Sequence, residues 1–167
     1  MKKEQHTIKN KKKQFLEVLD KYFNTPFYKK LLASDNIDEE RQQIIAEFSG
    51  IEWRKINPDI ILSNCQSLFF FSDEAFRYYL PAFMRVCFTV KNANEVKGVV
   101  LSSLTPPKDN LSLNKFIDVM SKFGNVQKGA ILLFLEILKE EQENFPAYSL
   151  NKIINQYWYQ FKKYQTP

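Results

Sequence analysis

Apolar residues recur at helical spacing along nearly the whole chain, and no segment keeps the two-residue alternation of a half-buried strand. Phe15, Leu19, Tyr22 and Phe23 hold one face of a first helix. Thr25 and Pro26 have the form of a cap and first position for a short helix to about Ala33. Asn36 and Glu39 make a capping-box pair ahead of Ile37, Ile44, Ile45 and Phe48, with Gly50 as the stop. Asn57-Pro58-Asp59 opens another short helix to about Cys65. Later helices are read over Asn94 to Leu104, Ser112 to Phe123 and Val126 to about Glu141, with Thr105 to Asn110 as the clearest loop. The last helix, capped by Ser149, carries Leu150, Ile153, Ile154, Tyr157, Trp158 and Phe161 on one stripe. A chain of 167 residues is one domain's length. The expectation is therefore an all-α fold, a single compact multi-helix domain of about seven to eight helices over residues 14–167.

Charge sets the remainder apart. Lys2, Lys3, Lys9, Lys11, Lys12 and Lys13 against Glu4 account for the whole +5 net charge, so residues 14–167 are neutral. Residues 1–13 are expected to form a disordered, lysine-rich arm. The sequence pI near 9.1 then belongs to that arm and does not describe a surface that would track a nucleic-acid backbone. Downstream, Glu136, Glu140, Glu141 and Glu143 crowd one stretch, while Lys152, Lys162 and Lys163 follow with no acid.

Scarce residues exclude much familiar chemistry. The four glycines, Gly50, Gly98, Gly124 and Gly129, have neither the dinucleotide nor the P-loop spacing. His6 is the one histidine and lies in the basic arm, which leaves no histidine-based metal site or nucleophile pair on a rigid scaffold. Cys65 and Cys87 are too few for a disulfide framework and sit in apolar stretches, which points to buried thiols in a reducing, cytoplasmic compartment. No apolar run approaches the ~18 residues of a membrane span, and Glu17, Asp20 and Lys21 interrupt any signal-peptide core. No cofactor, metal or membrane contact is expected.

The middle of the chain is the most distinctive. Ser72 can cap a helix whose first turn holds Asp73 and Glu74, and Phe76, Tyr79, Leu80, Phe83 and Cys87 continue as its buried face. Pro81 interrupts that pattern and predicts a kink or break near Tyr79 and Leu80. The run Leu68-Phe69-Phe70-Phe71-Ser72-Asp73-Glu74-Ala75-Phe76-Arg77-Tyr78-Tyr79-Leu80-Pro81-Ala82-Phe83-Met84 resembles the signature of an uncharacterised bacterial family of small helical proteins. The later run Lys128-Gly129-Ala130-Ile131-Leu132-Leu133-Phe134-Leu135-Glu136 is a weaker echo, with Gly129 where a better helix former is expected. The resemblance implies a bacterial, cytoplasmic helical protein and carries over no activity.

Two clusters are candidate binding sites. Asp73, Glu74, Arg77 and Tyr78 place two carboxylates, a guanidinium and a phenol around the start of one helix, a set able to hold a charged ligand or do acid–base work. The plainer reading is structural: a helix N-terminus favours carboxylates, and Asp73 and Arg77 have ion-pair spacing. Tyr159 and Tyr164, beside Lys162 and Lys163, lie off the core stripe and offer faces for stacking bases. The reading preferred is a non-catalytic protein that docks another protein, of an immunity or regulatory type. The alternatives are weak nucleic-acid binding through the arm and last helix, and an enzyme of unfamiliar design at the Asp73 to Tyr78 turn.

Overall fold

Side-chain caps start several of the helices, as the sequence pattern requires. In the structure, a computed structural model that describes residues 2–24, 38–141 and 147–165, Ser72 Oγ accepts the Ala75 N–H at 3.3 Å. Asn57 Oδ1 accepts from the Asp59 N–H at 3.0 Å and Asp109 Oδ1 from the Ser112 N–H at 2.9 Å. Each cap satisfies an amide that the first helical turn leaves without a carbonyl partner. Among the described residues there are eight α-helices, three 3-10 segments and no β-strand, so the fold is all-α. The helix expected from Pro26 to about Ala33 and the Asn36 cap lie outside the described residues; the cap observed for the following helix is Asp38, accepting from the Arg41 N–H.

The helices fall into two compact units, one built from the two ends of the chain, 1–24 and 104–167, and one from residues 25–103. The end unit holds α1 (Lys2–Tyr22), α6 (Asn110–Ser121), α7 (Asn125–Glu141), α8 (Ala147–Gln156) and the 3-10 segment Trp158–Tyr164. Its centre is α7, whose residues Ile131, Leu132, Phe134, Leu135 and Ile137 are fully buried. Against it lies α1, with Phe15 5.7 Å from Phe134, centroid to centroid, and Gln127 Nε2 donating to the Tyr22 carbonyl at 3.0 Å.

The N-terminal arm expected to be disordered is helical. Residues 2–13 form the first turns of α1, and Lys11 and Lys12 pair with Glu140 and Glu141 at the end of α7. Lysine and glutamine are good helix formers, so a helix held by Phe15, Val18 and Leu19 extends upstream at little cost where acids meet its lysines.

The C-terminal helix expected as one element is two. Ser149 lies inside α8, and Tyr157 leaves helical geometry at φ −144°, ψ −44°. The tighter segment that follows buries Trp158, whose Nε1 donates to the Leu104 carbonyl at 2.8 Å, with Phe116, Tyr157 and Phe161 around its ring. It then passes over α7 at Gly129, where a Cβ would stand 2.5 Å from the Tyr164 carbonyl oxygen. Only glycine admits that approach.

The middle unit holds α2 (Glu39–Ala46), the 3-10 segment Trp53–Lys55, α3 (Pro58–Ser63), the 3-10 segment Cys65–Phe69, α4 (Asp73–Thr89) and α5 (Asn94–Ser103). Its core is an aromatic nest. Phe48 stacks on Phe83 at 5.9 Å and meets Phe71 edge-on at 5.2 Å, while the Tyr79 hydroxyl lies 2.6 Å from the Phe48 carbonyl and 3.0 Å from that of Ile51. Of the kink or break expected near Tyr79 and Leu80, the break does not occur: α4 runs through Pro81 as one helix. Proline's fixed φ is itself helical, and burial of Tyr79, Leu80, Phe83 and Met84 with no exposed surface outweighs one forfeited hydrogen bond.

Candidate functional site

A groove of about 780 Å³ lies in the middle unit between α2, α5 and the stretch from the end of α3 through Phe69. One wall is a stripe of α5. Glu95, Gly98, Val99 and Ser102 line it, and their spacing of three or four residues puts them on one helix face. The opposite face of α5, with Val96 and Val100, is buried in the core. The other wall runs from Leu62 to Ser67 and Phe69, with Ile44 contributed by α2.

The chemistry of this groove is mixed. Leu62, Val99, Ile44 and Phe69 supply apolar surface, and Phe69 is a large aromatic left 46% exposed at its edge. Arg41 holds the neighbouring Phe70 instead, its guanidinium 4.8 Å from that ring. Ser67 is completely buried in the wall, and its hydroxyl has no hydrogen-bond partner among the described residues. Asn64 Nδ2 donates to Glu47 at 3.0 Å. Glu95, the one charged side chain of the lining, makes no ion pair or hydrogen bond among the described residues. Burial pushes the Cys65 thiol up, and the Glu95 carboxylate adds to that shift. A thiol held protonated is a poor nucleophile.

Gly98 leaves the helix surface bare inside the groove. It stands in the interior of α5 with ordinary backbone geometry, and a Cβ placed on it would meet nothing within 4 Å. Glycine in a helix interior forfeits roughly 0.5 to 1 kcal/mol relative to alanine. At Gly129 the close passage of Tyr164 accounts for that loss; at Gly98 no packing or backbone demand does.

The expected clusters are placed as follows. Asp73, half-buried, and Glu74, exposed, occupy the first turn of α4, and Arg77 is half-buried one turn on. Tyr78 parts from them: it is only 4% exposed, under the segment Trp53–Lys55. Burial raises its phenol, against a smaller opposing hydrogen bond from the Trp53 backbone. The turn therefore presents two carboxylates and an arginine, without the phenol. Near Tyr78 another arrangement emerges that the sequence did not suggest: the Arg54 and Arg85 guanidinium groups lie 4.4 and 4.9 Å from the buried Trp53 ring. At the other end of the chain Tyr159 is 61% exposed, whereas Tyr164 is half-buried, with the Lys163 amine 5.0 Å from its ring.

Cys65 and Cys87 are both free and buried. Among the described residues no group of three or more His, Cys, Asp or Glu side chains is placed to hold a metal ion, and no helix is long and apolar enough to cross a membrane. The groove was not visible in the sequence, because its lining comes from four elements and follows no single period. Gly98 inside a regular helical stretch was the one signal available.

Comparison with known proteins assigns the chain to a class before any activity. Over residues 9–162 it matches the model of a family of unknown function, DUF6714, and the chain belongs to that family. No curated protein and no solved structure matches it.

Proposed function

We propose that the protein is a non-catalytic docking module, of a regulatory or immunity type, in the bacterial cytoplasm that its sequence resemblance implies, and that the groove beside Gly98 receives a segment of a partner protein. The observation that carries this reading is Gly98 itself: a helix position gives up stability with no return in packing, and what it leaves is an open cleft with an exposed phenylalanine at its edge. The polar groups that line the cleft favour binding over catalysis. Its thiol is held protonated, and its carboxylate has no acid–base partner among the described residues. Two free buried thiols accord with a reducing compartment.

The other readings have less support. Burial of Tyr78 removes the phenol from the Asp73 turn, and pairing of Lys11 and Lys12 with Glu140 and Glu141 draws charge from the stretch that would meet a nucleic acid. The test is affinity capture from the native host with the wild-type chain, Gly98→Phe and Asp73→Asn. A protein kept by wild type and Asp73→Asn but lost by Gly98→Phe, with the melting temperature of all three alike, is the expected result. Equal retention by all three, or loss with Asp73→Asn alone, would overturn it.

A further inference from the structure

The groove's own chemistry narrows what can dock there, and we infer that its occupant is a polypeptide segment carrying an apolar anchor side chain with a lysine or arginine close beside it. This deepens the docking reading and rests on it. The anchor belongs at Gly98: the helix surface is bare there, and Leu62, Val99, Ile44 and Phe69 give it apolar walls. The basic residue belongs at Glu95. Among the described residues that carboxylate is the only charge of the lining, is exposed, and makes no ion pair. A second carboxylate, Glu47, stands at the neighbouring wall, where Asn64 donates to it. Among the described residues no lysine or arginine lines the groove, so an acidic segment would find no opposite charge there.

Spacing fixes how near the two partner residues must be. Gly98 and Glu95 are three positions apart on α5, about 4.5 Å along the axis at 1.5 Å per residue. An anchor in the partner followed by a cation one or two residues away in an extended strand, or three or four away on a helix, spans that interval. The whole α5 stripe from Glu95 to Ser102 is about 10 Å long on the same rise, the length of three extended residues, and the groove is open along it.

The experiment is selection from a displayed library of twelve-residue peptides with a fixed central leucine or phenylalanine and all other positions random, using wild-type protein as bait. The expected result is enrichment of Lys or Arg within four positions of the anchor, binding that weakens as salt rises, and loss with Gly98→Phe. Glu95→Gln should weaken the selected peptides about fivefold, and Glu95→Lys should turn selection toward Asp and Glu. The melting temperature of each variant serves as the folding control. Peptides that require an open Gly98 but show no basic preference, or that bind Glu95→Gln equally, would overturn the basic-partner inference and leave the docking groove standing. No enriched peptide, or enrichment indifferent to Gly98→Phe, would overturn both.

Discussion

Two glycines of the same helical kind do opposite things in this protein, and substituting each with alanine separates them. Gly129→Ala drives a Cβ to within 2.5 Å of the Tyr164 carbonyl oxygen. Backbone cannot swing aside as a long side chain can, so the segment Trp158–Tyr164 must lift or shift. We expect a loss of about 1 to 3 kcal/mol, read as a lower denaturation midpoint with weaker burial of Trp158 by fluorescence. Gly98→Ala meets open space and should raise stability by roughly 0.5 to 1 kcal/mol. A destabilised Gly98→Ala would mean that the glycine serves the fold. Among ionisable side chains, Tyr78 and Tyr79 carry the clearest pH prediction. Burial raises both phenols above 10.0, Tyr79 the more strongly. The unfolded chain therefore ionises first, and the stability these groups contribute is full below pH 10 and falls as pH rises beyond it. Lys128, its amine lowered from 10.5 by burial, works in the opposite sense below that value. Urea titrations from pH 8 to 11 should show a falling midpoint above pH 10, and Tyr79→Phe should flatten the fall while lowering stability at pH 8 by about 1 to 2 kcal/mol through the hydroxyl's lost contacts with the Phe48 and Ile51 carbonyls.

At the scale of elements, what the sequence made legible was whatever is local. Ser72 capping α4, Asn57 capping α3 and the buried stripe Phe76, Tyr79, Leu80, Phe83 follow from short-range spacing, and all are present. What escaped depends on partners distant along the chain. The lysines of α1 looked like a solvated tail because Glu140, 129 residues from Lys11, is invisible to local pattern. Tyr78 looked exposed because it sits one step from Tyr79, yet the segment Trp53–Lys55 covers it. Proline looked like a break because propensity is blind to the burial around it. Two predictions belong here. Phe83→Ala, removing a ring with no exposed surface that stacks on Phe48, should cost about 3 to 5 kcal/mol and leave little soluble protein. Replacing both Lys11 and Lys12 with alanine should cost no more than about 1 to 2 kcal/mol, since both pairs are partly solvated. The difference from wild type should shrink in 0.5 M salt; a salt-independent loss would mean that the lysine stems, not their charges, hold α1.

For the molecule as a whole, we propose that the chain binds a partner segment in the groove of the middle unit. The family to which it belongs fixes no activity, so the proposal stands on the groove's construction: the bare helix surface at Gly98, a Glu95 carboxylate with no ion pair among the described residues, and the protonated thiol of Cys65. The groove forms only where four elements converge. Amide resonances of isotope-labelled protein, followed while a selected anchor-and-lysine peptide is titrated in, test this most directly. The account predicts that the shifts concentrate at Glu95, Gly98, Ser102 and residues 64–69, with the Asp73 to Arg77 turn and α1 unmoved. Shifts centred on Asp73, Glu74 and Arg77, or on Tyr159 and the lysines of α1, would contradict it.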